Sequence, residues 1–317
     1  MSSSSFDSFL ALFLPFSLPS PPLSQPYNIP EGYTATELPK FLNTTPHHRE
    51  FVRGYFYDFM ANCIAKAVLD ENKVRVQAQL TIPETNPEMD VYRVGTLLEM
   101  TREIVIDLCQ DGKLVKVCVQ GSMGKGVFQG LPISLAGVSK LMKNMDWGPA
   151  TPFVKFGAVG EDEYEDDVSV YVLLAPQNIV GCSIMEDLEA MADKCNANDK
   201  AIVLLNPKLS DRLSAGGVMG IRGRSERINF AQTFESVGHF RLLYKQGTFF
   251  PIVGALRYQA GDRWEIYDRV DLPPTADGPN EQYILVGTFD REPGVTDITD
   301  CFTEVWKKAG TWGYSTS

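Results

Sequence analysis

The chain has 317 residues, 44% hydrophobic and 22% charged, which is enough apolar material for a sizeable core in one large or two ordinary domains. A formal net charge of −11 and a pI near 4.9 argue against wrapping nucleic acid or holding an anionic membrane face, since both need a basic surface. The apolar stretch Phe9–Leu18 is broken by Pro15 and falls well short of the roughly 20 residues that a membrane span requires.

Residues 1–45 are rich in Ser and Pro, with Pro15, Pro19, Pro21, Pro22, Pro26 and Pro30. They read as a flexible or extended leader, anchored at most by Phe41 and Leu42. The first 24 residues are Ser-rich and nearly acid-free, as a plastid transit peptide is, yet no Lys or Arg precedes Lys40. The rest, residues 46–313, reads as a single domain because no composition break divides it.

Within that domain, Val52, Tyr55, Phe56, Phe59, Met60, Cys63, Ile64 and Ala67 recur at three-four spacing and predict a helix over His47–Leu69. Lys73–Ile82 alternates apolar and polar residues and predicts a strand that stops at Pro83. Asp90–Gln110 is a second helix, and Leu114–Val119 a second strand. A glycine-rich turn and a helix over Pro132–Met145 follow. Phe153–Val159, Val168–Leu174 and Ala201–Leu205 are predicted strands, the last two apolar enough to be buried on both faces. The acidic run Glu161–Asp167 separates the first two of these, and a helix over Ile184–Cys195 precedes the third. Strand–helix alternation of this kind predicts a mainly parallel sheet.

After the glycines at 216–223 the pattern changes. Phe230–Tyr244, Thr248–Tyr258, Arg263–Val270 and Tyr283–Phe289 read as strands joined by short turns, with Thr296–Lys308 as a closing helix. The expected fold is therefore α/β: a Rossmann-like three-layer domain with a mainly parallel sheet and an antiparallel C-terminal extension.

The six cysteines have no CxxC spacing and mostly fall in apolar patterns, which suits buried, reduced thiols. Three histidines are too few for a histidine-rich metal site. The run Glu161–Asp167 lacks the ligand periodicity of a calcium loop, so no metal and no cofactor is expected. None of the patterns GxSxG, HExxH or GxGxxG occurs.

Two segments carry the elements of an anion site. Gly121, Ser122, Gly124 and Lys125 lie in a turn between a strand and a helix, where glycine N–H groups, a helix N-terminus and a lysine can cradle a phosphate. The P-loop spacing is not met, and Gly126 stands where Mg²⁺ would need a hydroxyl. The alternative is a plain strand-to-helix turn. Arg222, Arg224 and Arg227 surround Gly223 and either fork onto an oxyanion or pair with the acidic run. Asn206 follows a buried strand at the edge where open α/β sheets hold ligands, unless it caps its own turn.

The runs Pro87–Met100, Val115–Gly126, Met145–Trp147, Ala175–Gly181, Ala201–Leu209, Gly223–Glu226, Phe240–Tyr244 and Thr248–Arg257, with Trp312–Gly313, resemble the plant, algal and cyanobacterial "domain of unknown function 1995" family. That family includes the low-photosystem-II-accumulation assembly proteins. The chain looks closest to the version appended to a plastid adenylate kinase, with the kinase half missing. The resemblance implies a chloroplast location, in the stroma or peripheral to the thylakoid, and an accessory role with a protein partner from a photosynthetic complex. It carries over no catalytic residue. The expected function is thus a non-enzymatic plastid accessory factor for photosystem assembly or maintenance. The alternative is a domain that binds or converts a phosphorylated small molecule or nucleotide at Gly121–Gly126.

Overall fold

The computed structural model describes residues 28–42, 49–86, 91–120, 135–178, 184–209, 224–244, 252–275 and 278–308. Nine strands form one sheet: β1 (Arg75–Thr81), β2 (Val115–Val119), β3 (Val154–Ala158), β4 (Val170–Leu174), β5 (Ala201–Leu205), β6 (Glu235–Tyr244), β7 (Ile252–Gln259), β8 (Trp264–Thr275) and β9 (Gly278–Phe289). Their spatial order is β3-β2-β4-β5-β1-β6-β7-β8-β9, parallel as far as β6 and antiparallel beyond it. This is the expected α/β architecture.

Three helices cover the first face of the sheet: α1 (Arg49–Ala65), α2 (Val94–Leu108) and α3 (Leu135–Asn144). Val52, Phe56, Met60 and Ile64 recur every four residues along α1 and are buried against Leu97, Leu98, Ile104 and Val105 of α2 and against the inward residues of β1, β2, β4 and β5. Two helices, α4 (Met185–Ala197) and α5 (Arg224–Ala231), cover the second face with Leu188, Met191, Cys195 and Phe230. A last helix, α6 (Val295–Lys308), closes the same face over β7–β9 through Cys301 and Phe302. Strands β2, β4 and β5 are buried at every residue, which is why they read as unbroken apolar runs.

Strand–helix alternation fails at one crossover. Residues 159–169 join β3 to β4 across β2 with a single 3₁₀ turn, Glu161–Glu163, where a helix would be usual. What holds this connection is Lys116, whose buried ammonium contacts the Glu163 carboxylate at 2.8 Å and Glu165 at 2.7 Å and also donates to the Glu163 carbonyl. Lys155 adds Glu165 and Asp167, both at 2.7 Å. The acidic run is therefore the lid of a lysine-centred cluster. Gly157 makes room for it, since a Cβ there would overlap the Lys116 side chain.

Other differences lie in the last third. The expected strand Phe230–Tyr244 begins only at Glu235, because Arg224–Ala231 is helical; its eight residues offer too few apolar positions to display a helical period. Strands β8 and β9 are each longer than expected, and run on as a ribbon whose residues Asp271–Thr275 are exposed. Exposure on both faces removes the alternation from which a strand is read.

The described part of the leader, residues 28–42, is extended and pinned. Tyr33 Oη and the Thr36 N–H both donate to Glu265 at 3.1 Å, Tyr267 Oη donates to the Thr36 carbonyl at 2.9 Å, and the Leu42 N–H donates to Glu281 at 3.0 Å. Leu42 is fully buried. The stretch is thus a strap across β8 and β9.

Two outcomes follow from the β7–β8 pair. A Cβ at Gly254 would overlap the Tyr267 carbonyl oxygen and lie 2.8 Å from Phe302 Cζ. Gly254→Ala should cost about 3 kcal/mol in urea unfolding, whereas Gly95→Ala, on the exposed side of α2, should cost nothing. Opposite Gly254, burial pushes the Asp268 carboxyl up to about 6. A carboxyl raised in the fold favours folding below its unfolded value near 3.8, and that contribution is lost as pH rises through about 6. Asp268→Asn should therefore gain stability relative to wild type, by roughly 2 kcal/mol, between pH 4 and pH 7.

Candidate functional site

Open α/β sheets bind ligands where neighbouring strands send their connections to opposite faces. Among the helical connections this happens twice. Strand β2 leads into α3 on the first face while its neighbour β4 leads into α4 on the second, and β1 leads into α2 on the first face while β5 leads into α5 on the second. Both crevices open at the carboxyl edge.

Each crevice is closed by a side-chain amide. Gln120, the residue after β2, accepts from the Gln177 N–H at 3.0 Å and donates to the Gln177 carbonyl at 3.1 Å, bridging β2 to the extension of β4. Asn206, the residue after β5, accepts from the Leu80 N–H at 2.7 Å and donates to the Leu80 carbonyl at 2.9 Å, bridging β5 to β1. A primary amide offers one donor and one acceptor in the geometry of a peptide group, so each side chain extends the ladder by one rung. Thr85 Oγ1 also donates to the Leu80 carbonyl, at 2.7 Å.

Between the crevices, β4 and β5 turn in step. Ala175 and Asn206 both take left-handed backbone conformations, with φ of 42° and 49°, and each precedes a proline. Asparagine tolerates this region well and alanine poorly, so Ala175 is a strained position. The chains re-pair beyond the kink, where the Lys208 N–H donates to the Pro176 carbonyl at 2.8 Å and the Asn178 N–H to the Lys208 carbonyl at 3.0 Å. The result is a stitched edge that joins β2, β4, β5 and β1.

The expected anion residues are distributed as follows. Gly121, Ser122, Gly124, Lys125 and Arg222 lie outside the described residues, and so does the side chain of Arg224, the first residue of α5. Arg227 is half-buried one turn further along α5. Asn206 is described, and its amide bonds the Leu80 main chain of β1 rather than its own turn. The acidic run draws its described ion pairs from Lys116, Lys155 and Lys194. Lys116 escaped the sequence reading, although a polar residue interrupting an apolar strand is a signal of an internal bond.

The thiols of Cys63, Cys109, Cys195 and Cys301 and the imidazole of His239 are poorly placed for covalent or acid–base chemistry. Burial raises the thiols of Cys109, Cys195 and Cys301 to about 11 and that of Cys63 to about 12, which keeps them protonated. Burial and the charge of Arg241 lower His239 to about 4, so it is neutral near pH 7. No described cluster of three His, Cys, Asp or Glu side chains could hold a metal ion, and no described helix is long and apolar enough to cross a membrane.

Asn206→Ala should cost about 3 kcal/mol, because it removes two hydrogen bonds to buried main chain and leaves alanine at a positive φ. Asn206→Gly relieves only the backbone strain and should recover about 1 kcal/mol of that. Equal losses in the two variants, measured by chemical denaturation, would contradict a role shared between amide and backbone.

The family model for the domain of unknown function DUF1995 matches residues 53–300, from the first helix to the start of the last. That span takes in the whole sheet and the stitched carboxyl edge, and the chain is a member of the DUF1995 family.

Proposed function

We propose that this chain is a non-enzymatic accessory factor of the plastid, which binds a protein partner during the assembly or maintenance of a photosynthetic complex. The plastid setting rests on the resemblance of the residue runs quoted above to the low-photosystem-II-accumulation proteins. The observation that carries the non-enzymatic part is the stitched edge: where open α/β folds place their chemistry, Gln120, Asn206 and Thr85 are bonded to main chain. In this edge the amides of Gln120 and Asn206 and the Thr85 hydroxyl are already engaged with main chain. The raised thiols and the neutral, buried His239 point the same way.

Fractionation of plastids containing the tagged full-length chain should place it with thylakoid complexes, at a size well above its 35.2 kDa monomer. Recovery only as a free stromal monomer would overturn the proposal. A panel of nucleotides and sugar phosphates should produce no rise in melting temperature that Lys125→Ala abolishes; such a rise would instead make Gly121–Gly126 the binding site of a phosphorylated small molecule.

A further inference from the structure

Strand β1 lies fifth of nine, at the centre of the sheet, yet only one of its faces is dry. Val76, Ala78 and Leu80 are buried on the first face, while Arg75, Gln77, Gln79 and Thr81 alternate on the second and stay half-exposed. A central parallel strand is ordinarily apolar on both sides, as β4 and β5 are. The cause is helix placement. The apolar cluster under α4 and α5 ends at β5, the cluster under α6 begins at β6 with Leu243, and β1 contributes to neither.

Two of the four β1 side chains are engaged. Arg75 bonds Asp193 and Thr233, and Gln77 donates to the Phe234 carbonyl. The next two rungs differ. Gln79 is level with His239 of β6, and Thr81 is level with Arg241, so the four side chains form a two-by-two set on one face, roughly 5 Å apart across the strands and about 7 Å along them. Within the set, Gln79 Nε2 donates to Thr81 Oγ1 at 3.3 Å. Arg241 is exposed. His239 is 6% exposed, packs on Trp264 with ring centroids 5.0 Å apart, and its Nε2 has no hydrogen-bond partner among the described residues. Tyr258 stacks on the same Trp264 at 4.4 Å and continues the row across β7 and β8. Glu235 and Asp262 act electrostatically on Tyr258, and Glu235 is held by Lys73 at 2.6 Å.

We propose that Gln79, Thr81, His239 and Arg241 form a binding site for an oxyanion, a carboxylate or a phosphoryl group, in the trough between α5 and α6. The Arg241 guanidinium supplies charge and a fork of donors, the Thr81 hydroxyl and Gln79 amide supply further hydrogen bonds, and the aromatic row shields one side from water. An anion at Arg241 offsets the positive charge that disfavours the His239 imidazolium, so ligand and histidine are coupled through space. The site is built on strand residues and stands apart from the glycine turn, which leaves β2, three strands away.

The test is NMR of the imidazole resonances of the full-length protein titrated with inorganic phosphate and, separately, with acetate. The chain has only three histidines, and His239→Gln identifies the signal. At least one anion should shift the His239 resonances saturably and raise the pH at which they titrate. Arg241→Gln, an exposed change that leaves the core intact, should weaken that response at least tenfold, while Lys125→Ala should leave it unchanged. A response to phosphate alone assigns a phosphoryl ligand, and one to acetate alone a carboxylate. No response to either anion, or one that survives in Arg241→Gln, would overturn the site.

Discussion

The antiparallel half of the molecule depends on one buried charge pair. Arg257 of β7 donates to Glu265 of β8 at 2.8 Å, and Glu265 is completely inaccessible to solvent. Burying two charges is costly unless the pair is well placed and the remaining lone pairs and protons are satisfied. Each side of the fold supplies part of that compensation. Helix α1 places the Phe59 ring 4.9 Å from the guanidinium, Gln259 accepts from it at 2.9 Å, and the strap brings Tyr33 Oη and the Thr36 N–H to the carboxylate. The strap, the first helix and the sheet therefore form one electrostatic unit. Glu281 repeats the device at the far end, accepting from the Leu42 N–H and Tyr283 Oη and forming an ion pair with Arg269.

This dependence explains what could be read from the sequence. Local periodicity reported α1, α2, α4 and the strands from β1 to β5, because the side chains that decide those elements are neighbours along the chain. The clean alternation of β1 even recorded its open second face. The strap was illegible, since Tyr33 and Thr36 meet a carboxylate more than 200 residues away and have no apolar period of their own. The 3₁₀ crossover was hidden for a related reason: an acidic run looks solvated until Lys116 is seen beneath it.

At the carboxyl edge the sequence located Asn206 but not the main-chain bonds its amide makes. Asn206 does lie at the end of a central strand, as the alternation implied. Whether an asparagine side chain faces a ligand or the main chain is decided by register, and register belongs to the assembled sheet. The amides of Gln120 and Asn206 act as surrogate peptide groups, which lets the sheet end abruptly without leaving N–H groups unpaired.

The position of β1 also governs the order in which the molecule can assemble. Its two neighbours in the sheet, β5 and β6, begin 126 and 160 residues after it, at Ala201 and Glu235 against Arg75. During synthesis the central strand therefore emerges long before either edge has a partner, and the first helices have no sheet to cover. Pairings of such high contact order are slow and keep apolar strands and open edges in contact with solvent. The polar second face of β1 reduces that exposure, so a trough at the heart of the finished sheet also serves as solubilising surface on the growing chain.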